Sequence, residues 1–236
     1  MNGGGQQAEN PFLDKVGARV LPEFMSLTDN PLIAEYQGFK MQGGSKVDED
    51  GVPSREVKLI ENGYLKSLLT SRDPVRGFEQ STGSRHAGQP TPTNLIVTST
   101  NALSAAELHA KFIALINQRH LPFGMIVRRL RNATTPVLAY KVFPDGHEEL
   151  VRNMQFVGLN AAAFKDILAT SKELNVLTVQ YRPAQNGPFG VGMSPEENYR
   201  PVTVVSPSLL FEDVALRRIR AASPNPPVAT HPFFDK

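Results

Sequence analysis

Pro and Gly punctuate this chain at short intervals along its whole length, 19 and 18 residues respectively, with no single linker in which they gather. Such spacing leaves few windows wide enough for a helix of several turns and favours short strands joined by turns. Its clearest instance is Glu56-Val-Lys-Leu-Ile-Glu61, which alternates polar and apolar residues, meets Asn62-Gly63 and resumes as Tyr64-Leu-Lys-Ser-Leu-Leu69. Both positions of a two-residue hairpin turn need positive φ, which Asn and Gly tolerate, so the segment predicts a tight hairpin. A second hairpin is predicted where Pro136-Val-Leu-Ala-Tyr-Lys-Val-Phe143 runs through Pro144-Asp145-Gly146 into residues 147–151. Further strand-like runs cover 95–99, 125–130, 176–181, 202–205 and 209–216.

Two windows read as helices. Ser104-Ala-Ala-Glu107 is a capping box, in which hydroxyl and carboxylate each satisfy a free first-turn amide, and Leu108, Phe112, Leu115 and Ile116 follow at helical spacing. The second begins at Asn160 as N-cap and carries Phe164, Ile167 and Leu168 on one face. The expected fold is α+β, mainly antiparallel β-sheets with two amphipathic covering helices. Residues 1–10 are expected to form a flexible N-terminal segment, 11–222 the domain and 223–236 a Pro-rich tail. Two stretches, 71–92 and 183–201, are too rich in Gly and Pro for either periodicity and read as long loops of the kind that carries binding.

Composition narrows the chemistry. With no cysteine, disulfides, thiol catalysis and cysteine-ligated metals are excluded for this segment. A net charge of +2 is no polybasic surface, so nucleic acid is not expected as a partner. No run approaches the roughly 20 apolar residues of a membrane-spanning helix, and the start lacks signal-peptide features, so a cytoplasmic protein without membrane association is expected. The run His147-Glu148-Glu149 has no second histidine one turn on and cannot be a zinc-protease helix. Asp48-Glu49-Asp50-Gly51 lacks the alternating ligands of a calcium loop and reads as a solvated turn. The clusters Arg128-Arg129-Leu-Arg131 and Arg217-Arg218-Ile-Arg220 fall in strand-like runs, where exposed arginines resist edge-to-edge aggregation.

The order of the turns is more specific than any one of them. Asp48-Glu-Asp-Gly-Val-Pro53, Leu59-Ile-Glu-Asn-Gly63, Ser81-Thr-Gly83 and Thr93-Asn94, in that sequence, resemble the TldD/PmbA family of zinc-dependent peptidases and their inactivated homologues. Asn10-Pro-Phe-Leu-Asp14 and Leu27-Thr-Asp-Asn-Pro31 lead into this block, and the stretch from Asp145 to Arg152 and Pro207-Ser-Leu-Leu210 come after it. The resemblance implies the C-terminal portion of a longer protein. The family holds zinc through an upstream His-Glu-x-x-x-His helix and a Cys from the C-terminal region. This chain has neither, and the stretch 186–198 where the Cys would fall has none. No catalytic or metal-ligating residue is therefore assigned and no cofactor is expected in this segment; zinc would sit in an upstream segment or a partner subunit.

The resemblance further implies a homo- or hetero-oligomer with a TldD/PmbA-type subunit, around a chamber that admits unfolded, extended peptides. Candidate contacts to such a peptide or partner are Arg72, Arg76, Ser81, Thr82, Gly83, Arg85, His86 and Asn94, since a planar guanidinium makes two directed bonds to a carboxylate or carbonyl. The alternative is a non-enzymatic protein-binding or oligomerisation domain.

Overall fold

A computed structural model describes residues 12–132, 135–181 and 199–219. In chain order the strands are β1 (Met25–Asp29), β2 (Glu35–Tyr36), β3 (Phe39–Lys40), β4 (Val57–Glu61), β5 (Tyr64–Leu65), β6 (Arg85–His86), β7 (Gln89–Pro90), β8 (Asn94–Ser99) and β9 (Ala102–Leu103). Helix α1 (Ala105–Gln118) comes next, then β10 (Gly124–Asn132), β11 (Thr135–Val142), β12 (Glu148–Val151), β13 (Met154–Val157), β14 (Ile167–Tyr181), β15 (Arg200–Phe211) and β16 (Ala215–Arg218). The chain divides into two compact units, 1–110 with 160–213 and 111–159 with 214–236. The proposed segment boundaries at 10 and 222 lie outside the described residues.

The first unit is built on a seven-stranded sheet in the order β5-β4-β1-β8-β15-β14-β9. Its pairings are antiparallel except β8 with β15 and β9 with β14. Three apolar clusters anchor it: Val20, Leu65 and Leu68; Leu21, Met25 and Ile167; and Met41, Ile96 and Val205. The Asn62-Gly63 hairpin forms as expected, with Ile60 opposite Leu65 and Glu61 opposite Tyr64, and φ of +49° and +81° at the two turn residues. Its second arm is shorter than the alternation predicts, because β5 ends at Leu65. The turn is also gripped from outside: Gly63 N–H donates to Met25 O, and Gly63 O accepts from the Val20 and Leu21 amides.

The second unit holds the three-stranded sheet β10-β11-β12 and the ribbon β13-β16. The Pro-Asp-Gly hairpin joins β11 to β12, with Gly146 at φ +88°. Gly124 lets β10 approach α1 closely; a Cβ there would overlap the side chains of Phe112 and Ile116, and Ile116 is 1% exposed.

The capping box is present: Glu107 accepts from Ser104 N and Oγ, and Glu107 N donates to Ser104 Oγ. Those bonds hold the Glu107 carboxyl below its usual range. The second expected helix is absent. Asn160 Oδ1 does accept from the Ala162 and Ala163 amides, yet the residues after it form only a single 3-10 turn, Ala163–Asp166, whose N-cap is Ala162. At Ile167 the backbone is already extended and β14 begins. Burial explains this: Ile167 enters the core beside Leu21 and Met25, Phe164 meets Phe211 edge-on, and pairing along β15 satisfies the backbone. Tertiary pairing overrode a helical spacing only a few residues long.

Gly63 supplies a stability test. A Cβ there would lie 2.5 Å from Leu21 O and 2.8 Å from Pro22 O, on a backbone of positive φ. Gly63→Ala is expected to lower stability by about 2–3 kcal/mol in urea denaturation. An unchanged midpoint would contradict the turn geometry.

Candidate functional site

One end of the large sheet is unusually polar inside. Asp29 closes β1 and is 1% exposed; its Oδ1 accepts from Thr93 N at 2.9 Å and from Thr93 Oγ1 at 2.7 Å. Asn94, fully buried, accepts from Gly43 N at 2.9 Å and donates to Asn30 O and Ile33 O. Thr203 lies opposite Asn94 across the parallel pairing and accepts from Gln42 N. Arg200 reaches back to donate to Gly43 O at 3.1 Å. Burial raises the Asp29 carboxyl above its ordinary value, against the lowering pull of the Thr93 bonds and the Arg200 charge. Burial likewise lowers Arg200, partly offset by Asp29 and Glu49. Asp29 Oδ2 and His86 Nε2 are buried without a hydrogen-bond partner among the described residues.

The loop from 71 to 94 ends at this point, and the acidic run at 48–50 holds it. Asp48 accepts from the Asp50 and Val52 amides of its own turn and, through its other oxygen, from Arg85 N. Asp50 takes Arg72 N and lies 3.5 Å from Arg85 Nε. Arg85 Nη1 meets Asp73 at 2.8 Å, and Glu49 meets His86 Nδ1 at 3.0 Å. The run read from sequence as a solvated turn is thus the clamp of the loop, with Asp48 and Asp50 only partly exposed. No local signal shows this, because Asp50 and Arg85 are 35 residues apart in the sequence.

Within the loop, hydroxyls replace a ladder. Thr70 and Thr82 exchange bonds between each backbone N–H and the other's Oγ1, at 2.8 and 3.0 Å, and Thr82 Oγ1 contacts Ser84 Oγ. Ser81 Oγ accepts from Gly83 N, and Ser54 donates to Gly83 O. Gly83 has φ +68°, and a Cβ on it would overlap the Pro53 carbonyl.

The eight sequence-selected residues therefore separate by position. Arg72 and Arg76 are exposed and Ser81 half-buried, whereas Thr82, Gly83 and Asn94 are buried. Arg85 and His86 are half-buried against the acidic turn. A cavity of about 380 Å³ is lined by Glu49, Arg85, His86 and Arg200, and another of about 610 Å³ by Arg72, Asp73, Phe78 and Ser81. Sequence reading gave neither Asp29 nor Arg200 a role at the site: Asp29 lies in the quoted run Leu27–Pro31 and Arg200 in the second loop, but which groups they meet is set by segments far away in the sequence. Residues 183–198 of the second expected loop lie outside the described residues.

No three His, Cys, Asp or Glu residues come together as a metal site among the described residues. The described side chains do not fit a zinc site, and no metal chemistry is assigned to them. No described helix is long and apolar enough to cross a membrane.

A sheet domain with a clamped loop and a polar interior is the class this defines. The chain belongs to the family described as PmbA/TldA metallopeptidase C-terminal domain, whose profile matches residues 3–218. It is 37% identical over 67 residues to a metalloprotease of Methanocaldococcus jannaschii, covering 28% of this chain and 14% of that one. Among solved structures, it resembles a candidate modulator of a DNA gyrase from Thermotoga maritima (TM-score 0.60) and TldE from Thermococcus kodakarensis (TM-score 0.58). Each is 19% identical, and each match covers 88% of this chain and 42% of the other. At that identity the likeness is one of fold, and this chain spans less than half of either solved relative.

Asp29 generates a pH prediction. Its raised carboxyl means that the native state binds the proton more tightly than the unfolded chain. Its contribution is therefore full at low pH and is lost as pH rises through the native value. The stability of the wild type relative to Asp29→Asn is expected to fall as pH rises above the ordinary carboxylate range of about 4 in paired urea titrations. A gap that stays constant or widens with pH would contradict the burial argument.

Proposed function

We propose that this chain is the non-catalytic C-terminal part of a TldD/PmbA-type metallopeptidase and guides extended, unfolded peptides toward a zinc site carried by an upstream segment or a partner subunit. A cytoplasmic setting belongs to the same reading. The observation that carries it is the outer edge of β14. On one side β14 pairs with β15 as far as Tyr181; on the other, among the described residues, β9 pairs only at Thr170 and Ser171.

Residues 174–181 thus present an open edge without a charge, a proline or a bulge, with Leu177 59%, Val179 38% and Tyr181 38% exposed. Natural edges are normally blunted by charge or irregularity. The edge strand β10 has both, Arg128, Arg129 and Arg131 together with three register shifts. An edge left unblunted in the same chain supports pairing with another strand, in which backbone bonds hold an extended peptide whatever its sequence.

The loop fits this reading by position. Thr178 pairs with Thr203, and Thr203 with Asn94, so the loop ends level with the open edge and about 10 Å from it across two strand spacings. Arg72 and Arg76 are its outward donors toward a peptide carbonyl or carboxylate. Ser81, Thr82, Gly83, Arg85, His86 and Asn94 hold the loop that carries them.

Hydrogen exchange tests the edge, with a reduced, alkylated polypeptide that cannot refold as the probe. The amides of residues 174–181 are expected to slow their exchange when it is added. Leu177→Lys with Val179→Lys is expected to abolish that effect while changing stability by less than about 1 kcal/mol. Unchanged exchange on addition of the polypeptide would overturn the guiding role. Protection that instead rises with protein concentration alone would favour the oligomerisation alternative.

A further inference from the structure

The second unit carries a charge that the near-neutral total conceals. Its described residues, 111–132, 135–159 and 214–219, hold nine Lys and Arg against three Asp and Glu, in a chain whose net charge is +2. Seven of the nine are Arg. Two acids are already engaged, Glu148 with Arg128 at 2.7 Å and Asp145 with His147. Arg129, Arg131, Arg152, Arg217 and Arg218 are exposed and form no ion pair among the described residues.

The register gathers most of them at one end of the unit. Arg129 lies opposite Leu138 on β11, and Arg152 comes directly after Val151, which pairs with Ala139, so Arg129, Leu138 and Arg152 fall in one row. The turn after Arg152 leads directly into Met154, opposite Arg218, and Ile219 N–H donates to Asn153 O. Like charges so placed repel one another and cost stability. Blunting an edge needs fewer.

Leu130, Leu150 and Ile219 are 47%, 46% and 37% exposed among these arginines. Three rings of the unit are already occupied: Tyr140 is covered by Arg128, Phe123 by Lys141, and Phe143 is stacked on His147, while Phe156 is half-buried on β13. That combination disfavours single-stranded nucleic acid, which stacks on open rings. Guanidinium groups around an aliphatic centre match a protein surface. We infer that this arginine-rich end of the second unit docks an acid-rich protein segment that interleaves carboxylates with aliphatic side chains. The inference uses no residue of β14, so it stands or falls separately from the guiding role.

Fluorescence anisotropy on the whole chain tests it with three labelled probes: a Glu-Glu-Leu repeat peptide, a Glu-Glu-Ser peptide of equal length and a DNA duplex. The leucine peptide is expected to bind at least ~10-fold more tightly than the serine peptide, and more weakly as salt rises from about 0.05 M to about 0.5 M. Arg129→Glu with Arg131→Glu and Arg152→Glu should remove at least ~10-fold of that affinity at a thermal midpoint no lower than the parent's. If this triple variant does not fold, Leu130→Ser with Leu150→Ser decides, since it keeps every charge: equal binding of the two peptides supports the proposal, and a persisting preference overturns it. Absence of peptide binding, parental affinity in the folded triple variant, or a duplex bound as tightly as the leucine peptide would each overturn it as well.

Discussion

Asn94 sits where three stretches of backbone must meet without water. It receives the Gly43 amide and gives its own amide protons to the carbonyls of Asn30 and Ile33. Beside it Asp29 takes both the amide and the hydroxyl of Thr93. Most buried polar groups in proteins are partnered, and a partnered network fixes one arrangement of the segments it joins. Gly43 shows how tightly: a Cβ there would overlap the Thr93 carbonyl, so glycine is needed for closeness and not for turning. The start of β8, the position of Thr203 and the end of the 71–94 loop all depend on this junction.

The loop itself is a structured element without regular secondary structure along most of its length. Three consecutive acids and a hydroxyl network fasten it; of its glycines, Gly83 is required by a close approach to the Pro53 carbonyl, while Gly77 and Gly88 serve positive φ in open space. The chain therefore places a firm, polar loop at the same level as an uncharged open strand edge, within one unit. A guide for extended peptides needs that pairing of features, with backbone pairing for affinity independent of sequence and fixed donors for position.

The two units differ in how their charges are used. In the first, Asp29, Asp48 and Asp50 are turned onto backbone amides, a hydroxyl and Arg85, so part of its charge serves the fold. In the second, arginines stand outward with few acids near them. A net charge of +2 averages over this difference and hides it. Charge balance read over a whole chain is a statement about solubility, whereas recognition depends on where the charges stand.

Features written in a few adjacent residues were legible from the sequence. Asn62-Gly63 dictates positive φ, Ser104 and Glu107 close on each other within one turn, and Pro144-Asp145-Gly146 reverses the chain; each is governed by local sterics and hydrogen bonding. The family block was legible too, because it is an ordered series of such turns. Features decided by long-range packing were not. The window after Asn160 has a cap and helical spacing, yet becomes a strand because the core beside Met25 and the free ladder of β15 stabilise it more than an isolated helical turn. Asp48, Asp50 and Arg85 form a clamp only because the fold brings distant segments into contact, and among the described residues the outer edge of β14 is open beyond Ser171 because β9 is two residues long. Local geometry is encoded residue by residue, while partnership and exposure belong to the assembled sheet, and no short window of sequence contains them.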